Sequence, residues 1–179
     1  MTHDAILDFW FRETDPRAWW NADPGFDESV WRRFGELHAR AAHGELTVWR
    51  ASPRGRLAEI IVLDQFSRNL YRASARAFAQ DLAALVLAQE AVSAGALPVL
   101  APVERAFLLM PYMHSESREI HVAAETLFRL HAPADNLDFE LRHKAIVDRF
   151  GRFPHRNAVL GRPSTSEELE FLELPGSAF

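Results

Sequence analysis

Cysteine is absent from this chain of 179 residues, which removes disulfides and thiolate chemistry and leaves His, Asp and Glu as the metal ligands. Such a composition leans toward a reducing compartment, and a cytoplasmic location is expected. Long hydrophobic runs are absent too: the most apolar stretch, 82–88, falls far short of the roughly 20 residues that span a bilayer. The opening Met1-Thr2-His3-Asp4 has no basic start, and Asp8 breaks the apolar run from Ile6 to Phe11, so no export signal is read there. There is no basic excess. A net charge of -5 argues against a nucleic-acid partner, because phosphate backbones require a broad cationic face. Gly-x-Gly-x-x-Gly, Walker, Gly-x-Ser-x-Gly and His-Glu-x-x-His motifs are all missing, which makes nucleotide binding by either glycine motif, a hydrolase triad and a zincin site poor expectations. Sustained period-two alternation is missing as well, so no strand is expected.

What is present is a globular composition, 48% hydrophobic and 25% charged, in one domain long enough to bury a core. Thr2 can cap a first helix with Ile6, Phe9 and Trp10 on one face, ending near Thr14 before Pro16. Asp27 is expected to cap the second, with Phe26 stapled onto Trp31 and Gly44 closing it. Ser52-Pro53 opens a buried helix through Leu57, Ile60, Ile61, Leu63 and Phe66. Ser74 is expected to cap one long helix from Ala75 to Ala94, stopped by Gly95. Pro102 begins another, which Pro111 should kink or end. Helices over 116–130 and 136–150 follow, the latter capped by Asn136, and Ser164-x-x-Glu167 reads as a capping box for the last. The expectation is an all-α fold, residues 1–179 as a single domain of roughly seven to nine antiparallel helices.

Cationic groups concentrate at one corner. Asp148-Arg149-Phe150-Gly151-Arg152-Phe153-Pro154-His155-Arg156-Asn157 holds three arginines and a histidine, and Arg162 follows. An earlier stretch, Asp64-Gln65-Phe66-Ser67-Arg68-Asn69, shares its Asp-x-Phe-small-Arg pattern. In both, acid and arginine stand four apart in the favourable order for a helical ion pair, which is worth only about 0.2–0.5 kcal/mol. Two well-made helix ends would explain as much. The alternative is that Asp64, Arg68, Asn69, Arg152, Arg156 and Asn157 line a pocket for a small anion, since arginine's fork suits carboxylate and phosphate. His114, Glu116 and His155 would supply acid–base groups near neutral pH. His114, Glu116 and His121 could also be read as metal ligands, but no ligand spacing supports it, and neither metal nor cofactor is expected.

Several of these motifs taken together are familiar. Leu7-Asp8-Phe9-Trp10-Phe11, Trp19-Trp20, Leu63 to Asn69, Tyr71-Arg72 with Arg76-Ala77-Phe78-Ala79, Met113 to Glu116, Arg149 to Asn157 and Leu160-Gly161-Arg162 with Ser164 resemble a bacterial family, domain of unknown function nine-two-four. The resemblance implies a helical fold similar to tetratricopeptide-repeat proteins, with paired helices in a curved array, and implies no activity. Ser67 stands where the family pattern usually has proline, which should relax the corner after Phe66. Three functions stay open: a pocket for a small anionic ligand with acid–base chemistry, a scaffold binding an acidic peptide on a concave face, and arginine corners that brace helix ends or a homodimer interface.

Overall fold

The structure is a computed structural model and describes residues 1–177. Among the described residues there are eight α-helices: α1 (His3–Asp8), α2 (Pro24–Ala42), α3 (Pro53–Leu70), α4 (Asp81–Ser93), α5 (Pro102–Met113), α6 (Arg118–His131), α7 (Ala134–Phe150) and α8 (Ser166–Leu172). No strand occurs among the described residues.

Helix α3 is the centre of the packing. Ser52 accepts a hydrogen bond from the Gly55 amide and Pro53 occupies the first turn, so this helix starts where the sequence places it. Gly55 is there because of crowding: a Cβ would stand 2.0 Å from the Trp49 carbonyl oxygen. Every residue from Leu57 to Ser67 is buried, and helices α1, α2, α4 and α5 all pack against them. From α2 to α7 each helix touches the next, and α3–α5 and α5–α7 touch as alternate neighbours. An aromatic core fills the space beside α3. Phe34 and Phe66 stack with ring centres 5.0 Å apart, and Trp10 meets Phe107 edge-on at 5.5 Å. A smaller apolar cluster of Ile146, Val147 and Phe153 secures the arginine corner.

Several boundaries differ from expectation. Helix α1 continues into a π turn over Phe9–Glu13, ending at Thr14 as expected. The cap of α2 is Asp23, four residues earlier than Asp27. Asp27 instead accepts hydrogen bonds from Asn69 and Arg72, while Trp31 is exposed and Phe26 stacks on Phe9. The expected helix over 75–94 is two elements, a 3-10 turn (Ala75–Phe78) and α4, and the break frees Asp81 for a tertiary role. Pro111 lies inside α5, which runs on through Met113 and stops within a turn. Helix α7 begins at Ala134, ahead of Asn136. The last capping box is Thr165 with Glu168, one residue along from the pair expected. Ser67 lies within α3 rather than at a corner: its hydroxyl bonds the Leu63 carbonyl and contacts His38 Nε2 at 2.7 Å.

Candidate functional site

Asp64 is fully buried midway along α3, and the site is built on it. One turn later on the same face, Arg68 places Nη1 3.2 Å from the Asp64 carboxylate and 2.8 Å from its carbonyl. Arg68 also grips both oxygens of Asp81 at 3.0 and 3.2 Å. Arg156, from the turn Pro154–Arg156, reaches the same Asp81 at 3.0 Å. One carboxylate at the start of α4 therefore joins two arginines that lie 88 residues apart in sequence (156 less 68). On the other side His114, which caps the C-terminus of α5, brings Nδ1 to 2.7 Å from Asp64 Oδ1. Gln65 donates to the second Asp64 oxygen at 2.6 Å.

These contacts fix the protonation states. Burial alone would raise the Asp64 carboxyl, but Arg68, His114 and Gln65 outweigh it and hold the group well below the usual carboxylate range. An ionised carboxylate only accepts, so the hydrogen of the 2.7 Å contact belongs to His114 Nδ1. Burial, then the nearby Arg68, keeps His114 below its ordinary value against the opposing pull of Asp64. The imidazole is thus neutral at pH 7 with Nε2 as its basic nitrogen, and among the described residues no protein group bonds that atom. Burial and Arg68 together lower even Arg156, to about 10.

A cavity of about 580 Å³ opens above this cluster. Arg68, Arg72, Arg142 and Arg156 all line it, with His114, His143 and His155. No aspartate or glutamate does so among the described residues. The acids stand behind the cations, Asp64 and Asp81 beneath Arg68 and Asp27 behind Arg72. Trp20 and Phe139, 56% and 42% exposed, face the cavity with ring planes 13° apart.

Of the residues singled out in the sequence, Arg68, Asn69, His114, His155 and Arg156 line this cavity, and Asp64 supports it from below. Three lie elsewhere. Arg152 is bound by Glu168 at 2.6 and 2.8 Å and by the Pro163 carbonyl. Glu116 accepts from Arg162 at 2.6 and 2.9 Å and from the Phe153 amide at 2.7 Å. Asn157 is buried against Ser164 and Arg162. The cause is Gly151, whose φ of 73° ends α7 at Phe150 and turns Arg152 off the helical face. The echo between the two Asp-x-Phe stretches is therefore one of sequence only: Asp64 pairs with Arg68, but Asp148 pairs with Lys144. His121 is also apart from His114 in function, buried with Nδ1 2.7 Å from Glu140 and Nε2 2.8 Å from the Ser115 carbonyl. Among the described residues no group of three or more His, Asp or Glu side chains is disposed to hold a metal ion.

Asp81, Gln65, His143 and Phe139 were not foreseen. For Gln65, Phe78, Trp19 and Trp20 a signal existed, because they lie in the motifs that carry the family resemblance. Five of those motifs, in the stretches 19–20, 63–69, 76–79, 113–116 and 149–157, each contribute lining residues to this single cavity.

An all-helical protein with an arginine- and histidine-lined cavity is the class that fold and site define. The chain belongs to the family described as bacterial protein of unknown function (DUF924), whose model matches residues 6–176. It is similar to the solved structure of a protein of unknown function from Agrobacterium tumefaciens, at 36% identity over 96% of each chain and a TM-score of 0.90. No curated protein matches it.

Proposed function

We propose that the chain binds a small organic anion in this cavity and carries out acid–base chemistry on it, with His114 as the proton-transferring group. One observation carries the reading: the cavity presents arginines and a carboxylate-held histidine, while every acid of the cluster is turned behind them. Asp64 fixes the His114 tautomer and stabilises the imidazolium formed when Nε2 takes a proton, the role a buried carboxylate plays behind a catalytic histidine. Arg68 and Arg156 place positive charge where the ligand's carboxylate or phosphate would rest. A cavity lined by apolar surface with a few convergent polar groups and perturbed titrations is the general form of a ligand site.

The test is a thermal-shift and calorimetry survey of carboxylated and phosphorylated metabolites. Stabilisation of the wild type that disappears in Arg156→Met and His114→Gln is the expected result. If no anion stabilises the wild type, the reading fails.

A scaffold gripping an acidic peptide is the second reading, and the tetratricopeptide likeness implied by the family resemblance supports it only by analogy. Such a groove needs cations strung along an open face, whereas Arg156 is 6% exposed and converges with Arg68 on a single carboxylate. The bracing reading suits Arg152 with Glu168 and Arg162 with Glu116, which fasten the C-terminal segment to the body.

A further inference from the structure

Within that reading of the cavity, the geometry points to a narrower class of ligand: an acid with one negative charge and an aromatic ring, its charge held at Arg156 and His114 and its ring on the shelf made by Trp20 and Phe139.

The floor decides the charge. Asp64 and Asp81 already balance Arg68 and Arg156, two anions against two cations. Of the cations nearer the rim, Arg72 is spent on Asp27, and Arg142 is exposed at the aromatic end, its guanidinium 5.5 Å from the Phe139 ring centre. One further negative charge still finds partners. Arg156 Nε is buried and lacks a hydrogen-bond partner among the described residues, and His114 Nε2 can take up a proton to meet the anion. A second or third charge would find no unspent cation at the floor and would be buried uncompensated, which proteins avoid. A compact polyanion such as pyrophosphate therefore fits poorly at the floor.

The mouth decides the body of the ligand. Trp20 is held almost parallel to Phe107 and to Phe139, at 18° and 13°, with ring centres 6.0 and 6.2 Å away. Met110 and Met113 continue the apolar wall inward toward His114. Two large aromatic side chains left exposed side by side at one opening form a platform for a flat apolar group. At about 580 Å³ the space is that of a mid-sized organic ligand, far more than an inorganic anion fills. The aromatic end would lie over Trp20 and the acidic end would point to Asp81's two arginines.

Trp20 supplies the readout as well as the contact. 3-Phenylpropionate, propionate and pyrophosphate are titrated against wild type, Trp20→Ala, His114→Gln and Arg156→Met, following tryptophan fluorescence and calorimetric heat. Expected is binding of 3-phenylpropionate with a fluorescence change, propionate weaker by about tenfold or more, and a similar loss in Trp20→Ala. Arg156→Met should lose binding of both monoacids; if that variant does not fold, His114→Gln together with Trp20→Ala carries the comparison. Equal affinity for propionate and 3-phenylpropionate, or no effect of Trp20→Ala, would overturn the aromatic class while leaving an anion site in place. Tighter binding of pyrophosphate that depends on Arg156 would overturn the single-charge argument in the same way. No heat and no stabilisation from any of the three would remove the anion site itself.

Discussion

At the scale of single residues, two arginines four positions apart have opposite fates. Arg152 gives three hydrogen bonds to Glu168 and Pro163, and Glu168 is 2% exposed. Removing the arginine leaves that carboxylate buried without its partner, at a cost of about 2 kcal/mol. Arg152→Met should lower the melting temperature by roughly 4–8 °C and leave the proposed anion binding unaffected, as differential scanning fluorimetry would show. An unchanged melting temperature would mean that solvent already screens the pair. Glu168 adds a pH signature. The hydrogen bond from Arg152 holds its carboxyl down to about 2. In the unfolded chain it titrates near 4.3, so its contribution is present above that pH and is lost as pH falls toward 2. Glu168→Gln should abolish that acid-dependent part of the stability curve. The sequence makes Arg152 and Arg156 look alike because each stands two or three residues after a phenylalanine in one basic stretch. Which acid each one meets depends on Asp81 and Glu168, far along the chain, and no local pattern encodes those distances.

Among elements, helix ends separate what can be read from what cannot. Ser52-Pro53 and Gly44 were legible because caps act on their immediate neighbours. Gly151 was visible too, yet its consequence was missed: a left-handed residue there breaks the spacing that would have paired Asp148 with Arg152. Replacing Gly151 by alanine forces a Cβ into φ 73°, with only the Arg118 guanidinium within 4 Å, so the cost is conformational and not a clash. It should destabilise the fold by about 1–2 kcal/mol, measurable as a lower urea midpoint with an unchanged slope. The start of α4 is the harder case. Ser74 does cap, but only a 3-10 turn, and the helix proper restarts at Asp81 with its carboxylate between Arg68 and Arg156. Asp81→Asn leaves the buried Arg156 guanidinium facing the half-buried one of Arg68, at a cost of about 3 kcal/mol. Arg68→Met added to Asp81→Asn should recover part of that loss. A double variant no more stable than Asp81→Asn alone would show that repulsion between the arginines is not the cause.

Across the whole molecule, the all-helical architecture followed from periodicity, and the meeting of distant corners followed from α3, whose burial from Leu57 to Ser67 draws four helices around it. The same close packing buries histidines in neutral form. Burial lowers His38 to about 4, His143 to about 3 and His155 to about 4, with Arg76 adding to the effect at His38 and Arg156 at His155. In the unfolded chain each titrates near 6.5, so between that pH and about 4 the unfolded state binds more protons than the folded one. Stability then rises with pH over this window and is lost as pH falls from 6.5, well before the depressed carboxylates are protonated. Each such proton contributes a limiting slope of about 1.4 kcal/mol per pH unit. The urea midpoint should therefore drop steadily from pH 6.5 to 5. His38→Gln should flatten that decline by about one proton, since glutamine can keep the contact to Ser67 without a charge to take up. A midpoint that stays level down to pH 5 and falls only below 4 would assign the acid sensitivity to carboxylates such as Glu168, and the buried imidazoles would have to be charged in the folded state.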